Sequence, residues 1–283
     1  MNFYKAGDHL YLFINDSYYK VVAGAMELPN KLIMIDTGTH IKRIREFREY
    51  VENETKKKFE ILFLTHYHLD HTWGNQVFAD CRIIATKSLL NKMLEMKKTW
   101  TEKKIAEYIA KLDDPESTRG LVITPPNEIA SYLEIADNGV KVIFKQTGGH
   151  SDDSAYVYCP KYKILFAGDN LFRDMYPYGQ DKTSNPDLMV KAYKEYLTLD
   201  VERFIPGHQD SCEKQTIKKY IHFIEQLKTE MVTLHHKGEA KEKIFEHCLS
   251  INPFHESEFE EPLQVLKNAT LDRFYDFWIN GKK

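Results

Sequence analysis

The sequence predicts an α/β protein, and three observations carry that reading. Short runs of aromatic and β-branched residues recur from His9 to Ile205 and read as strands. Charged stretches with apolar spacing lie between them and read as surface helices. One run, Ile61 to Leu64, is wholly apolar, which suits a strand buried on both faces. Strands alternating with helices belong to layered α/β folds.

The elements follow in order. Residues 9–15 (His-Leu-Tyr-Leu-Phe-Ile-Asn) and 18–28 flank a polar turn and read as a hairpin or sheet edge. Lys31 to Ile35 is a further strand, closed by Asp36-Thr37-Gly38. Residues 41–57 set Ile41, Ile44, Phe47, Tyr50 and Val51 at helical spacing. After Ile61–Leu64, Gly74 and Asn75 mark a change of direction. Trp73 to Phe78 starts a short helix, and Cys81 to Ala85 is the next strand.

Residues 87–135 break the pattern. Leu89 to Met96 and Ile105 to Leu112 look helical. Asp113-Asp114-Pro115 stops the second segment, and Thr124-Pro125-Pro126 is irregular. Strands resume at Val140–Phe144, Ala155–Tyr158 and Ile164–Phe166. Residues 187–199 are helical, and Arg203 to Ile205 is a last short strand. Residues 213–230, 239–250 and 262–279 read as helices.

Composition narrows the class. The 283 residues are 42% hydrophobic and 13% aromatic, enough for a sizeable core in one large domain or a domain with an appendage. A net charge of -3 gives no polyelectrolyte signal, so no nucleic-acid partner is expected. No apolar run approaches the ~20 residues of a membrane helix. The start, Met-Asn-Phe-Tyr-Lys-Ala-Gly-Asp, lacks the apolar core of a secretory leader, so a cytoplasmic location is expected. Cys81, Cys159, Cys212 and Cys248 are far apart and form neither a disulfide framework nor a zinc ribbon. Of the histidines, His9, His40, His222, His235, His236, His247 and His255 carry no spacing that implies chemistry.

His66, His68, Asp70 and His71 are different. Four potential metal ligands follow a buried strand directly. Side chains of a strand alternate between faces, so these four converge only if the strand ends and turns. They then project into a cleft at its C-terminal edge.

The run Thr65-His66-Tyr67-His68-Leu69-Asp70-His71 resembles the T-H-x-H-x-D-H motif of the metallo-β-lactamase superfamily. Further stretches resemble that superfamily's other motifs, in the same order: Ile35-Asp36-Thr37-Gly38, Thr147-Gly148-Gly149-His150-Ser151, Phe166-Ala167-Gly168-Asp169 and Ile205-Pro206-Gly207-His208. The resemblance implies an αββα sandwich with helices outside two face-to-face sheets. Residues 1–212 would be the catalytic domain. Within it, 87–135 would be a helical insertion serving as lid or pocket wall. Residues 213–283 would be a helical C-terminal extension.

The resemblance also implies a ligand set. His66, His68 and His150 would hold one metal, Asp70, His71 and His208 the other, and Asp169 would bridge them. Seven side chains exceed the roughly three or four that one tetrahedral zinc takes, and so suit two divalent ions. Zinc is the expected metal, with iron or manganese as alternatives. Asp36 would orient ligands from beneath. Asp70 is the candidate catalytic group, as proton acceptor or relay.

A bridging-type aspartate is typical of the glyoxalase II and lactonase-like branch. The expected activity is therefore hydrolysis of a carboxylic ester, thioester or lactone by a metal-activated hydroxide. The alternatives are a phosphodiesterase or phosphorylcholine-esterase type, an iron-dependent persulfide dioxygenase and a β-lactamase. Arg173, Tyr176 and Tyr178 follow Asp169 closely and are candidate substrate contacts. Trp73 stands where the glyoxalase II motif has glycine and is a candidate pocket wall. A small-molecule substrate is expected, no membrane partner is, and a homodimer is left open.

Overall fold

The computed structural model describes residues 3–15, 20–112, 114–254 and 260–282. Among these, a seven-stranded sheet runs β1 (Phe3–Gly7), β2 (Leu10–Ile14), β3 (Val22–Glu27), β4 (Leu32–Ile35), β5 (Phe59–Phe63), β6 (Arg82–Ala85) and β7 (Glu128–Ile129), in that spatial order. The first four are antiparallel neighbours, and β4 to β7 are parallel. A five-stranded sheet contains β8 (Tyr132–Asp137), β9 (Val140–Gln146), β10 (Ala155–Cys159), β11 (Ile164–Gly168) and β12 (Arg203–Pro206), from one edge to the other. Only β11 and β12 pair in parallel there.

Helices cover both outer faces. Helix α1 (Ile41–Thr55) turns Ile41, Ile44, Phe47 and Val51 onto the first sheet, at the spacing expected of one apolar stripe. After the short α2 (Leu69–Thr72), helix α3 (Lys87–Thr99) adds Leu89 and Met93 to the same layer. It starts where Thr86 accepts a hydrogen bond from Leu89 N. Helix α4 (Glu102–Ile109) lies against it through Ile105, Tyr108 and Ile109. Over the second sheet lie α5 (Pro186–Thr198), α6 (Lys214–His236), α7 (Lys241–Ser250) and α8 (Glu260–Trp278).

Between the sheets, apolar residues of both inner faces form a third cluster. Phe63 and Phe144 stack across it with centroids 5.3 Å apart. Gly24 keeps the sheets close, because a Cβ there would fall 2.3 Å from the Phe166 ring. The order helix, sheet, sheet, helix is the αββα sandwich expected.

Several elements differ from the sequence reading. Strand β1 was not anticipated; its exposed face carries little apolar signal. Residues 128–135, read as part of a helical insertion, instead form β7 and much of β8, the edge strands of the two sheets. Tyr132 to Ala136 alternates in exposure as an edge strand should, but it follows the irregular Pro-Pro stretch that masks it. Trp73–Phe78 is a 3₁₀ turn, and α6 runs on to His236. His40 is buried, with its Nδ1 2.8 Å from Asn15 Nδ2 and 3.0 Å from Thr39 Oγ1. The hairpin residues 16–19, Asp113 of the helix stop and His255 lie outside the described residues. No helix among the described residues is long and apolar enough to cross a membrane.

The C-terminal helices brace the segment after β11. Tyr220 of α6 donates to Met175 O, Thr270 of α8 accepts from Gly179 N, and Arg273 donates to Ser184 O. The stretch from Asp169 to Ser184 is thereby fixed between the second sheet and α8.

Candidate metal centre

The loops at one edge of the sandwich bring all seven expected side chains together. β5 ends and turns, so that His66 and His68 project from the loop while Asp70 and His71 ride on α2. His150 follows β9, Asp169 follows β11, and His208 follows β12. Ligand atoms of His66, His68, His150 and Asp169 lie within 4.8 Å of one another, and so do those of Asp70, His71 and His208. His68 Nδ1 is 3.0 Å from Nε2 of both His66 and His150.

Asp169 sits between the groups. Its Oδ2 is 3.6 Å from Nε2 of both His66 and His150 and 3.3 Å from His208 Nε2; its Oδ1 is 3.1 Å from His71 Nε2. Asp70 Oδ2 lies 3.5 Å from His208 Nε2 and 3.7 Å from His71 Nε2.

Neighbouring groups hold the rings in place. Asp36, at a φ of 55°, caps the turn after β4 in a left-handed conformation that aspartate tolerates. Its carboxylate accepts from Thr65 N at 2.8 Å and Thr65 Oγ1 at 2.7 Å, and lies 3.0 Å from His71 Nδ1. With a proton on Nδ1 shared with Asp36, a neutral His71 would turn its Nε2 lone pair toward Asp169, as a metal ligand must. His150 does the same with Tyr178 O, 2.7 Å from its Nδ1, while Asn170 Oδ1 accepts from His150 N at 2.8 Å. Behind His68 stands Asp181, 3.5 Å from Nε2, which also accepts from Tyr67 OH at 2.6 Å. Asp181, Asn170 and the Tyr178 carbonyl escaped the sequence reading. They occupy no recurring spacing, and a backbone oxygen leaves no mark on residue type.

Charge and burial fit divalent cations. Burial pushes the His66 imidazole well below its ordinary value and His150 down to about 4, which favours the neutral rings that a metal would need. Burial also pushes His71 and His208 down, but the Asp169 and Asp70 carboxylates more than offset it and hold both up. For Asp169, burial is outweighed by His208, His71 and His66, and its carboxyl stays well below the usual range. His71 Nε2 and Asp169 Oδ1 are buried and close, yet form no hydrogen bond among the described residues. Such orphaned buried atoms are costly unless something else satisfies them. The carboxylates draw positive charge to this point, and imidazoles and carboxylates converging on it match a metal ion.

A cleft of about 420 Å³ opens over this cluster. His68, Asp70, His150, Asp169 and His208 lie at its base, and Tyr178 is among its walls. Trp73 is 2% exposed and reaches the cleft only indirectly, under Tyr108 and Trp100 at 5.3 and 6.3 Å between centroids. Tyr176 is buried against Phe223, apart from the cleft. Arg173 faces away: it donates to Ser211 O, lies 3.6 Å from Asp174, and lines a separate surface depression. Proximity to Asp169 in sequence therefore does not bring Arg173 or Tyr176 to the cleft, because the chain turns sharply after Gly168.

Known proteins resemble this chain in sequence and fold. A family model described as Metallo-beta-lactamase superfamily matches residues 20–208. "Metallo-beta-lactamase type 2" of Bacillus cereus is 25% identical over 184 residues, covering 62% of each chain. "Beta-lactamase-like protein 2 homolog" of Caenorhabditis elegans is 24% identical over 198 residues, covering 69% of this chain and 57% of that one. The chain thus spans about three fifths of the length of the curated relatives it matches. Among solved structures, the stereoselective inverting sec-alkylsulfatase Pisa1 from Pseudomonas sp. superposes with a TM-score of 0.67 at 14% identity, over 98% of this chain and 50% of that one.

Proposed function

The chain belongs to the metallo-beta-lactamase superfamily, and from that premise we propose that it is a metal-dependent hydrolase with a two-cation site. We assign it to the glyoxalase II and lactonase-like branch, acting on a carboxylic ester, thioester or lactone. The observation that carries this reading is the position of Asp169, whose Oδ2 lies between His66 and His150 of one group and His208 of the other while its Oδ1 faces His71. His66, His68 and His150 would hold one cation, and Asp70, His71 and His208 the other, with zinc the metal best suited to the set.

Bound cations of this kind lower the pKa of water and polarise a carbonyl. The chain's own residues supply the rest. Asp36, Asp181 and the Tyr178 carbonyl fix ring orientation. Asp70, partly exposed at the cleft base, is placed to accept a proton at its free carboxylate oxygen and return it to the leaving group. Tyr178 and the α3–α4 wall border the substrate, and α6 and α8 brace the loop that carries Asp169 and Asp181.

A second reading, β-lactam hydrolysis, is favoured by the name of the Bacillus cereus relative. One experiment addresses both. Protein purified without chelator is analysed for metal, then assayed with p-nitrophenyl acetate, a thioester, a lactone, a β-lactam and bis-p-nitrophenyl phosphate. The expected outcome is about two metals per chain, as in two-metal sites, with turnover of the carboxylic substrates above the others. Metal content that never exceeds one per chain after zinc, iron or manganese is added counts against the site. Preference for the β-lactam or the phosphodiester counts against the substrate class.

A further inference from the structure

The cleft over the metal centre has mainly apolar walls, and its other lining groups away from the metal centre, the Gln180 amide and the phenols of Tyr67, Tyr108 and Tyr178, are uncharged. Met96 of α3, Trp100 at its end and Tyr108 of α4 form one side, and Leu263 and Leu266 of α8 form another. Phe172 and Met175 lie between them. Its volume of about 420 Å³ falls in the range of small-molecule sites. Among the described residues lining it, none is lysine or arginine.

The nearby cations are occupied elsewhere. Lys92 pairs with Asp152 and Asp153, and Arg173 with Asp174 and Ser211 O. Lys104 lies 4.6 Å over the Trp100 ring and is not part of the lining. The carboxylates at the base belong to the metal centre. A substrate carrying an anionic tail would bury that charge between aromatic and aliphatic walls with no basic partner, which is unfavourable.

We propose that this cleft takes an uncharged, apolar chain, with the scissile carbonyl at the metal centre and the chain between the α3–α4 wall and α8. The inference rests on the hydrolase reading for the carbonyl but on the walls alone for the chain. It selects neutral aliphatic or aromatic acyl esters, thioesters and lactones, and it excludes substrates whose tails end in carboxylates, such as peptide-like thiol conjugates.

Alkyl hydroxamates test the walls separately from the chemistry, because the metal-binding head stays constant while the tail changes. Acetohydroxamate, octanohydroxamate and suberic acid monohydroxamate, which matches the octanoyl chain but ends in a carboxylate, are titrated by calorimetry into full-length protein of measured metal content. Each buried methylene should raise affinity by about fourfold, so even with only about three of its six extra methylenes buried octanohydroxamate should bind about fiftyfold tighter than acetohydroxamate. The carboxylate-ended chain should lose most of that gain. In Leu266→Lys the ranking should invert, with the carboxylate-ended chain binding tighter.

Equal affinities in the unaltered protein, absent binding of octanohydroxamate, or preference for the charged tail would each overturn the inference, whether or not the variant folds. Parallel assays with p-nitrophenyl acetate and octanoate separate the two proposals. No ester turnover with the hydroxamate ranking intact sinks the hydrolase and leaves the apolar site. Turnover indifferent to the tail, with flat hydroxamate affinities, does the reverse.

Discussion

A Cβ built on Gly207 falls 1.8 Å from Oδ1 of Asp169 and 2.9 Å from its backbone nitrogen. Gly207 cannot retreat, because its N donates to Gly168 O at 2.9 Å and its O accepts from Val22 N at 2.8 Å. The central carboxylate therefore rests against a residue that must lack a side chain. In Gly207→Ala, Asp169 must swing out of the cluster or the β12 edge must shift. Overpacking of this kind costs about 1–3 kcal/mol. The expected result is a lower melting temperature together with loss of bound metal. Unchanged metal content and turnover would mean that the loop relaxes freely there.

Asp169→Asn isolates charge from shape. The substitution keeps size but removes the charge that faces both ligand groups. Two cations repel strongly in a partly desolvated site, so the pair should no longer be held. The group of Asp70, His71 and His208 should weaken most, having fewer imidazoles. Turnover should fall by about a hundredfold or more, the scale of losing a major electrostatic group. Elemental analysis and kinetics on one variant decide it; full metal with near-normal turnover refutes the central role.

Asp181 acts through His68. Its carboxylate faces His68 Nε2, leaving Nδ1 to the cluster, and is itself held by Tyr67 OH and Thr183 N. Asp181→Ala should weaken the His66, His68 and His150 group by about 10–100-fold in metal affinity. Competition with a chelator measures this, and Tyr67→Phe should give a smaller effect in the same direction. An affinity equal to that of the unaltered protein would reduce Asp181 to a loop anchor.

Arg48 and Asp80 make a pH-dependent clamp between α1 and the turn before β6. The guanidinium meets both carboxylate oxygens at 2.7 Å and also donates to Val77 O. The hydrogen bonds from Arg48 hold Asp80 below the usual carboxylate range. A carboxyl whose folded pKa is depressed contributes stability above its unfolded value of about 4 and loses it as pH falls through the folded value. Asp80 is largely exposed, so solvent screening limits the contribution to about 1 kcal/mol or less. In urea titrations Asp80→Asn should therefore be less stable near neutral pH, and the difference should shrink in acid. A gap that stays constant with pH would locate the effect in something other than this pair.

How much of this was legible in the sequence depends on distance along the chain. His66, His68, Asp70 and His71 stand together after an apolar strand, so local spacing alone marks them. His150, Asp169 and His208 became visible only through resemblance to a family, since nothing local ties them to His66. The α/β class was legible because buried strands and amphipathic helices alternate, whereas the sandwich itself followed only from the family resemblance. Edge strands β1, β7 and β8 were not, because half-exposed strands lack a continuous apolar run. Arg173 and Tyr176 misled for a related reason: neighbours of a ligand in sequence point wherever the next turn sends them. The cleft walls join α3 and α4 to α8, a pairing that only tertiary structure sets.

The order in which the chain leaves the ribosome gives the two halves of the centre different histories. His66, His68, Asp70 and His71 emerge early, in the loop and α2 that follow β5, a strand paired with the earlier β4. His150, Asp169 and His208 belong to a second sheet synthesised later, and β12 closes it next to β11. Domains generally fold as units, so neither sheet of one sandwich is complete without the other. A nascent chain therefore exposes four of the seven clustered side chains well before the other three exist. The full cluster can assemble only after β12 and His208 have been made.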